Sequence, residues 1–352
     1  MTDAIARLVG EQRANEFDAV QGDSASVSAD PHPRLAGYRV TDLSALAGAL
    51  VWLGALGVAG TTALALSTVD LFVSLAVLVL VPLGLGLAAT PRRSGGVVLP
   101  YRLAVAGQLP AAVAVVAALA LPVGSTESVA LVLPWLGVTG LVALVGLWRL
   151  LSRGFLPVAE LTVDAALFYV PVGAVALVLH RAGISLRFEP IIVLLTVVHY
   201  HYAGFVLPLV TGLVDRRLAG PDGRFGTDLA GRVAVAATLV IVVNLALIAV
   251  GITFSPLVEV VAVALFTVAV AGFALLTLAK VVPAVDGLPA AGLAVASLAI
   301  VATMALALGY GYSAFPATGE VISIGEMIRW HGTLNAFGFA LPALLAFRRL
   351  ER

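Results

Sequence analysis

The stretch of sequence that decides the fold is residues 69–89, which read VDLFVSLAVLVLVPLGLGLAA. It contains one charged residue, Asp70, and almost every other residue in it is apolar or glycine. A helix needs about 20 mostly apolar residues to cross the hydrocarbon core of a bilayer. This segment therefore predicts a transmembrane helix.

The same pattern recurs along the whole chain. Of its 352 residues, 61% are apolar and 11% are charged, whereas soluble domains are about 45–50% apolar and about 25% charged. We therefore predict an all-α, polytopic integral membrane protein that has the lipid bilayer as its solvent. Ten spans are predicted, at residues 43–61, 69–89, 101–122, 128–150, 158–180, 189–213, 232–252, 257–281, 288–309 and 325–347.

Outside the spans, the chain has one long polar segment and two longer connections. Residues 1–42 are polar and mixed in charge, which predicts a disordered cytoplasmic arm ahead of a transmembrane domain over residues 43–352. The arm has no early apolar run of the kind that marks a secretory signal. The connection 214–231 is rich in Arg, Gly and Asp and is predicted to be cytoplasmic. The Gly- and Pro-containing connection 310–324 is predicted to be external.

The distribution of basic residues predicts the orientation. Cytoplasmic loops carry an excess of Lys and Arg. With ten spans and a cytoplasmic N-terminus, only Arg181, Arg187 and Arg329 of the 20 basic residues fall outside. Both termini are therefore predicted to be cytoplasmic, in the plasma membrane of a prokaryote.

Composition also excludes several kinds of chemistry. The 20 basic residues balance 20 acidic ones, and no basic tract is present, so no nucleic-acid partner is expected. The absence of cysteine excludes disulfides, thiolate metal sites and iron–sulfur clusters. Any metal or redox chemistry must rest on the five histidines, and three of these, His199, His201 and His331, lie inside predicted spans.

Helix geometry constrains these three histidines. His199 and His201 lie about ten residues into the sixth span and His331 about six residues into the tenth, which places all three in the outer half of the membrane. Residues two apart on a helix are separated by about 200°, so His199 and His201 point to opposite faces. In the tenth span, His331 and Asn335 lie one turn apart on one face, together with Gly338 and Pro342.

Two acidic residues, Glu160 and Asp164, lie one turn apart near the cytoplasmic start of the fifth span. Two interpretations are open. They could form a proton path, or they could pair with Arg149, Arg153 or Lys280. Because charges inside a membrane usually find partners, pairing is favoured.

The sequence also contains an internal echo. Residues 204–208, GFVLP, match residues 338–342, GFALP, and this alignment places Asn335 opposite His201. The second span has a related proline, Pro82. Spans two, six and ten are four helices apart, which indicates a four-helix pseudo-repeat.

Two motifs resemble a known family. The segments TVVHYHYAGF at 196–205 and RWHGTLNAFGF at 329–339 resemble the hallmarks of the YndJ-like family of uncharacterised prokaryotic membrane proteins. The resemblance covers most of the spans but not the N-terminal arm. It implies a multi-pass membrane protein and brings no established activity.

A second, more distant resemblance implies a cofactor. The run from His199 to Tyr202 is similar to the His-aromatic-His-aromatic run in the tenth helix of subunit I of haem–copper oxidases, and the run from His331 to Pro342 is similar to the second helix. The resemblance implies a circularly permuted version of that fold, shortened by two helices, around a haem-type pocket. It would pair His201 with His331 as axial ligands of haem b. His199 would then be a candidate ligand of a second haem.

This chain also departs from the oxidases. The further histidines of their copper centre have no counterparts in the second and third spans, so neither a copper site nor oxygen reduction is expected. The sequence thus predicts a membrane protein with a histidine site formed by His199, His201, His331 and Asn335. That site would bind haem for electron transfer or gas sensing, with an unidentified redox partner. An enzyme is not the favoured interpretation. The alternatives are a proton-coupled transporter, with protons relayed by the histidines and Glu160 and Asp164, or a structural membrane protein.

Overall fold

A computed structural model describes residues 32–59, 66–89, 99–220, 223–313 and 319–351. These residues form ten long helices and a short hairpin. The helices are α1 Val40–Val58, α2 Thr68–Ala88, α3 Leu99–Leu119, α4 Thr126–Arg153, α5 Ala159–Arg181, α6 Pro190–Leu218, α7 Leu229–Phe254, α8 Pro256–Ala284, α9 Gly287–Tyr312 and α10 over residues 324–350.

The helices confirm the predicted fold class. Within the described residues, α1 to α9 are long enough and apolar enough to cross a membrane. The tenth helix is equally long but more polar, because Arg329, His331 and Asn335 lie in its first half. The protein is therefore a polytopic helical membrane protein, with α10 at the position of the tenth predicted span.

Several boundaries differ from the prediction. Residues 1–31 of the predicted arm lie outside the described residues, but its end forms a hairpin of β1 (Arg34–Leu35) and β2 (Tyr38–Arg39). Positive φ angles of 50° at Ala36 and 84° at Gly37 suit the tight turn of such a hairpin. Directly after it, α1 begins at Val40, three residues before the predicted start of the first span.

Both predicted connections are shorter than expected. In the cytoplasmic one, α6 continues to Leu218 and α7 begins at Leu229. In the external one, α9 continues to Tyr312. The last turn of α6 stays helical although it is polar, because its Arg216 side chain is held by Glu160 of α5.

The centre of the fold is α2. Of its most apolar stretch, 94% is buried within the protein, and α1, α3, α6 and α10 all pack against it. Glycines allow this close approach. A Cβ atom on Gly48 of α1 would lie 2.0 Å from the carbonyl oxygen of Leu78, and one on Gly84 would lie 2.5 Å from the Phe205 ring of α6.

Wider π-helical turns interrupt four helices shortly before a proline. Proline has no N–H to donate, and its ring clashes with the carbonyl four residues earlier, so a wider turn around that carbonyl relieves the strain. The turns are 76–80 before Pro82 in α2, 202–206 before Pro208 in α6, 277–281 before Pro283 in α8, and 334–340 before Pro342 in α10. The echo of α2, α6 and α10 therefore has a backbone counterpart. Because α8 shares it, the feature is not confined to the three echoing spans. Proline by itself does not produce it, since Pro110, Pro134 and Pro171 lie within uninterrupted α-helices and a further π-helical turn at 327–332 has no proline shortly after it.

Ion pairs connect the two ends of the described chain. Arg348 of α10 donates two hydrogen bonds to the Asp42 carboxylate of α1, at 2.7 and 2.6 Å. Arg39, at the start of α1, pairs with Glu351 at 2.7 Å. The start of α1 and the end of α10 therefore lie on the same side of the helical bundle.

Candidate functional site

The side chains of His199 on α6 and His331 on α10 face each other. Their ring centroids are 6.3 Å apart and their planes are inclined by 30°. The Nδ1 atom of His199 donates a hydrogen bond to the Leu195 carbonyl at 2.8 Å, and that of His331 donates to the Thr303 carbonyl of α9 at 2.9 Å. A carbonyl can only accept, so Nδ1 carries the proton on both rings, and in the neutral rings Nε2 carries a lone pair. Within the described residues, neither Nε2 atom has a hydrogen-bond partner.

The other histidine of the pair on α6, His201, lies in a different environment. It is fully buried, its Nδ1 donates to the Val197 carbonyl at 2.7 Å, and its Nε2 accepts a hydrogen bond from the Trp135 indole at 3.1 Å. The Trp135 and His201 rings are nearly parallel, at 22°. The prediction that His199 and His201 point to opposite faces is confirmed. His201 has no nitrogen lone pair left for a metal in this arrangement.

This arrangement differs from the ligand pair that the oxidase resemblance implies. The resemblance pairs His331 with His201, whereas the structure places His331 opposite His199. The reason is the packing around α6. The His201 face is covered by Trp135 of α4 and by Gly173 of α5, where a Cβ atom would lie 2.7 Å from the His201 ring. The opposite face of α6 is the one that meets α10.

Asn335 supports the backbone of His331. Its Nδ2 atom donates to the His331 carbonyl at 3.0 Å, and its Oδ1 atom accepts a hydrogen bond from the Thr303 hydroxyl at 3.4 Å. In an α-helix that carbonyl would accept from the backbone N–H of residue 335. In this π-helical part of α10 it accepts a hydrogen bond from the Asn335 side chain. His201, which aligns with Asn335, likewise donates to the carbonyl four residues earlier.

The two facing histidines are unequally enclosed. His331 is partly buried, whereas His199 is exposed at the surface of the described residues. Next to these histidines, α2 contacts both α10 and α6. The Phe72 ring of α2 packs against Gly332, and the Phe72 carbonyl accepts a hydrogen bond from Tyr202 at 3.0 Å. An uncovered imidazole at this depth in a bilayer is costly. A polar or metal-containing group that covers His199 would remove that cost.

The acidic pair at the start of α5 is engaged in ion pairs. Glu160 binds Arg149 at 2.7 Å and Arg216 at 2.7 and 2.8 Å. Asp164 binds Arg149 at 2.8 Å and also pairs with Arg153. Both carboxylates are buried. Because arginines pair with both of them, this cluster matches the earlier interpretation of ion pairing. The sequence did not indicate Arg216 as a partner, because it lay in a predicted loop.

The acidic cluster and the histidines form separate sites. Glu160 precedes Gly173, which packs on His201, by thirteen residues of the same helix, a rise of about 20 Å. Within the described residues, no group of three or more His, Cys, Asp or Glu side chains is placed to hold a metal ion. A metal centre at His199 and His331 would therefore need ligands from a cofactor as well.

Three residues that make polar contacts inside the protein were not identified from the sequence. Trp135 and Thr303 belong to ordinary apolar spans, so nothing in their sequence context marks them. Asp215 was assigned to a loop together with Arg216, but it is 2% exposed and accepts a hydrogen bond from Thr238 at 2.6 Å. Asn244 also makes an interhelical contact, because its side-chain amide on α7 donates to the Ala262 carbonyl of α8 at 2.7 Å. The buried Gln108 amide makes no hydrogen bond in the described part of the chain.

Comparison with known proteins gives a family and no activity. The sequence model of the YndJ-like protein family matches residues 71–339, which include all three membrane histidines. The uncharacterized membrane protein YndJ of Bacillus subtilis (strain 168) is 31% identical over 224 residues, which are 63% of this chain and 39% of that relative. The chain therefore aligns with well under half the length of this relative. No solved structure matches.

Proposed function

The chain belongs to the YndJ-like family of membrane proteins, and from the geometry of its histidines we propose that it binds one b-type haem between His199 and His331 for electron transfer. Each histidine would hold the iron through Nε2. A haem held by two histidines would supply electron transfer rather than gas binding.

The observation that carries this proposal is the 6.3 Å separation of the two ring centroids. An imidazole nitrogen lies about 2.0–2.1 Å from a bound metal ion, so two rings on opposite sides of one ion have centroids roughly 6 Å apart. The Nδ1 hydrogen bonds to carbonyl groups are also typical of metal-bound histidine, because they orient the ring and make Nε2 a better ligand.

The surrounding residues have supporting roles. The Leu195 and Thr303 carbonyls hold the two imidazoles in the tautomer that leaves Nε2 free. Asn335 holds the backbone of His331 in the π-helical part of α10. His199 itself is exposed at the surface of the described residues.

The proton-coupled transporter is less well supported. It needs Glu160 and Asp164 to exchange protons with the histidines, but both carboxylates are held by arginines, at about 20 Å along α5 from the level of His201. Carboxylates held in these ion pairs are not open to exchange with the histidines.

We also propose that the protein lies in the plasma membrane of a prokaryote with both termini in the cytoplasm. The distribution of basic residues supports this orientation. The Asp42 to Arg348 ion pair is consistent with it, because it requires the start of α1 and the end of α10 to lie on one side.

The test is an absorption spectrum of the detergent-purified protein from haem-replete cells, recorded oxidised and after reduction with dithionite. We expect a sharp Soret band and split α and β bands on reduction, which are signatures of six-coordinate low-spin haem, with about one haem per chain. A colourless protein, or one whose haem content is far below one per chain, would refute the proposal.

A further inference from the structure

A buried carboxyl group outside the histidine site and the acidic cluster lies in the last turn of α6. Asp215 is 2% exposed, and its Oδ2 atom accepts a hydrogen bond of 2.6 Å from the hydroxyl of Thr238 on α7, which is itself fully buried. Its Oδ1 atom has no hydrogen-bond partner within the described residues. Asp and Glu are almost never enclosed in this way unless they are paired.

The neighbouring arginines do not neutralise Asp215. Arg216 points to α5 and binds Glu160, and Arg217 lies over the Phe347 ring of α10, with its guanidinium carbon 5.9 Å from the ring centre. Among the described residues, no ion pair includes Asp215.

The helices packed against this end of α6 carry charged groups that are engaged elsewhere or exposed. Arg348 of α10 binds Asp42, Arg232 of α7 donates to the Thr227 carbonyl, and Lys280 of α8 is exposed. The remaining charged groups at this end of these helices are Glu160 and Asp164 of α5, which are paired with arginines, Arg349 beside Arg348, and Glu351, which pairs with Arg39.

An ionised carboxylate in such a place would be removed from water with no cation to compensate it, which is unfavourable. A neutral carboxylic acid avoids this cost, with its proton on Oδ1 and its other oxygen bonded to Thr238. We infer that Asp215 is a proton-binding site at the cytoplasmic end of α6. It would take up a proton from cytoplasmic water and change from carboxylate to carboxylic acid, with no other bond made or broken.

The position of Asp215 indicates where such a proton could travel. Thr211 lies one turn further into the membrane on the same face of α6 and is buried. The hydroxyl of Thr162 on α5 approaches the intervening Gly212, where a Cβ atom would lie 2.7 Å from it. Two buried hydroxyl groups therefore lie within about one turn of Asp215 on its inner side, and each donates to a carbonyl of its own helix. This inference concerns proton binding and does not depend on the haem proposal.

The test is infrared spectroscopy of the full-length protein in lipid nanodiscs at pH 7, in water and in D₂O. A protonated carboxyl group has a carbonyl stretching band well separated from carboxylate bands, and it shifts slightly in D₂O. We expect such a band in the wild type and its loss in Asp215→Asn. The matched control, Asp286→Asn, removes an exposed carboxylate and should leave the band unchanged. Absence of the band in the wild type, or its persistence in Asp215→Asn, would overturn the inference.

A second variant keeps the inference testable if Asp215→Asn does not fold. Thr238→Val removes the hydroxyl that bonds Oδ2, so the Asp215 band should remain but move to higher frequency. A band unaffected by Thr238→Val would contradict the assignment. If the band appears only when sodium and potassium are replaced by choline, the carboxylate binds a metal cation. The assignment of Asp215 as a proton-binding site would then be wrong. The infrared band does not depend on haem. A colourless protein that shows the band would therefore refute the proposed function and leave this inference standing.

Discussion

The imidazole rings of His199 and His331 face each other across the contact between α6 and α10, with centroids 6.3 Å apart. The two residues are 132 positions apart in the sequence, and each is oriented by a hydrogen bond to a backbone carbonyl. The nearby His201 instead uses both nitrogens in contacts with Val197 and Trp135. The structure therefore divides three similar histidines into a facing pair and a single buried structural residue.

This division predicts unequal effects of three alanine substitutions. His199→Ala and His331→Ala should each abolish the low-spin haem spectrum, because each removes one axial ligand, and added imidazole should partly restore it. His201→Ala should retain the spectrum, with lower thermal stability because the Trp135 indole loses its acceptor. Absorption spectra of the three purified variants provide the measurement. Loss of the low-spin spectrum in His201→Ala and His331→Ala, with the spectrum retained in His199→Ala, would instead support the ligand pair implied by the oxidase resemblance.

Removal of one charge from the acidic cluster should destabilise the protein. Glu160→Gln leaves Arg216 without its carboxylate partner and Arg149 with Asp164 alone, in a buried place, and breaking such a pair costs about 3–5 kcal/mol. We expect a lower unfolding temperature in scanning fluorimetry of the detergent-purified protein. The control is Glu127→Gln in the first turn of α4, where the carboxylate is exposed. Equal unfolding temperatures for the two variants would show that the cluster contributes little to stability.

Two glycines of α1 should respond in opposite ways to alanine. At Gly48 a Cβ atom would lie 2.0 Å from the Leu78 carbonyl oxygen, whereas nothing lies within 4 Å of one at Gly54. Gly48→Ala should separate α1 from α2 and cost about 1–3 kcal/mol, as overpacking does. Gly54→Ala should be neutral or stabilising by up to about 1 kcal/mol, because alanine favours helix. Thermal unfolding of both variants gives the comparison, and a stable Gly48→Ala protein would contradict this packing.

The orientation can be tested by labelling of single cysteines, since the chain has none of its own. Glu320→Cys lies between α9 and α10 and Asp286→Cys lies between α8 and α9, and both positions are exposed. A membrane-impermeant maleimide applied to intact cells or spheroplasts should label Glu320→Cys and spare Asp286→Cys until the membrane is broken. The reverse pattern would place both termini outside.

Much of the architecture follows from local sequence. Each span is recognisable from its own 20 or so residues because the cost of exposing polar backbone to lipid acts on every helix separately. The opposition of His199 and His201 likewise depends only on the angle between residues two apart on a helix. The span boundaries were less accurate where polar residues remain helical, as at Arg216, because a partner on another helix stabilises them.

What the sequence by itself determined is therefore a polytopic helical membrane protein, for which it also predicted ten spans and a site at three histidines. Only the tertiary structure decided that His199, not His201, meets His331, that Asn335 supports a backbone carbonyl, and that Asp215 is enclosed with Thr238. The physical reason is that helix periodicity is a local property, whereas the neighbour of each face depends on the packing of helices that are far apart in the chain. Around α6, the bulky Trp135 and the small Gly173 pack on one face, and α10 packs on the other.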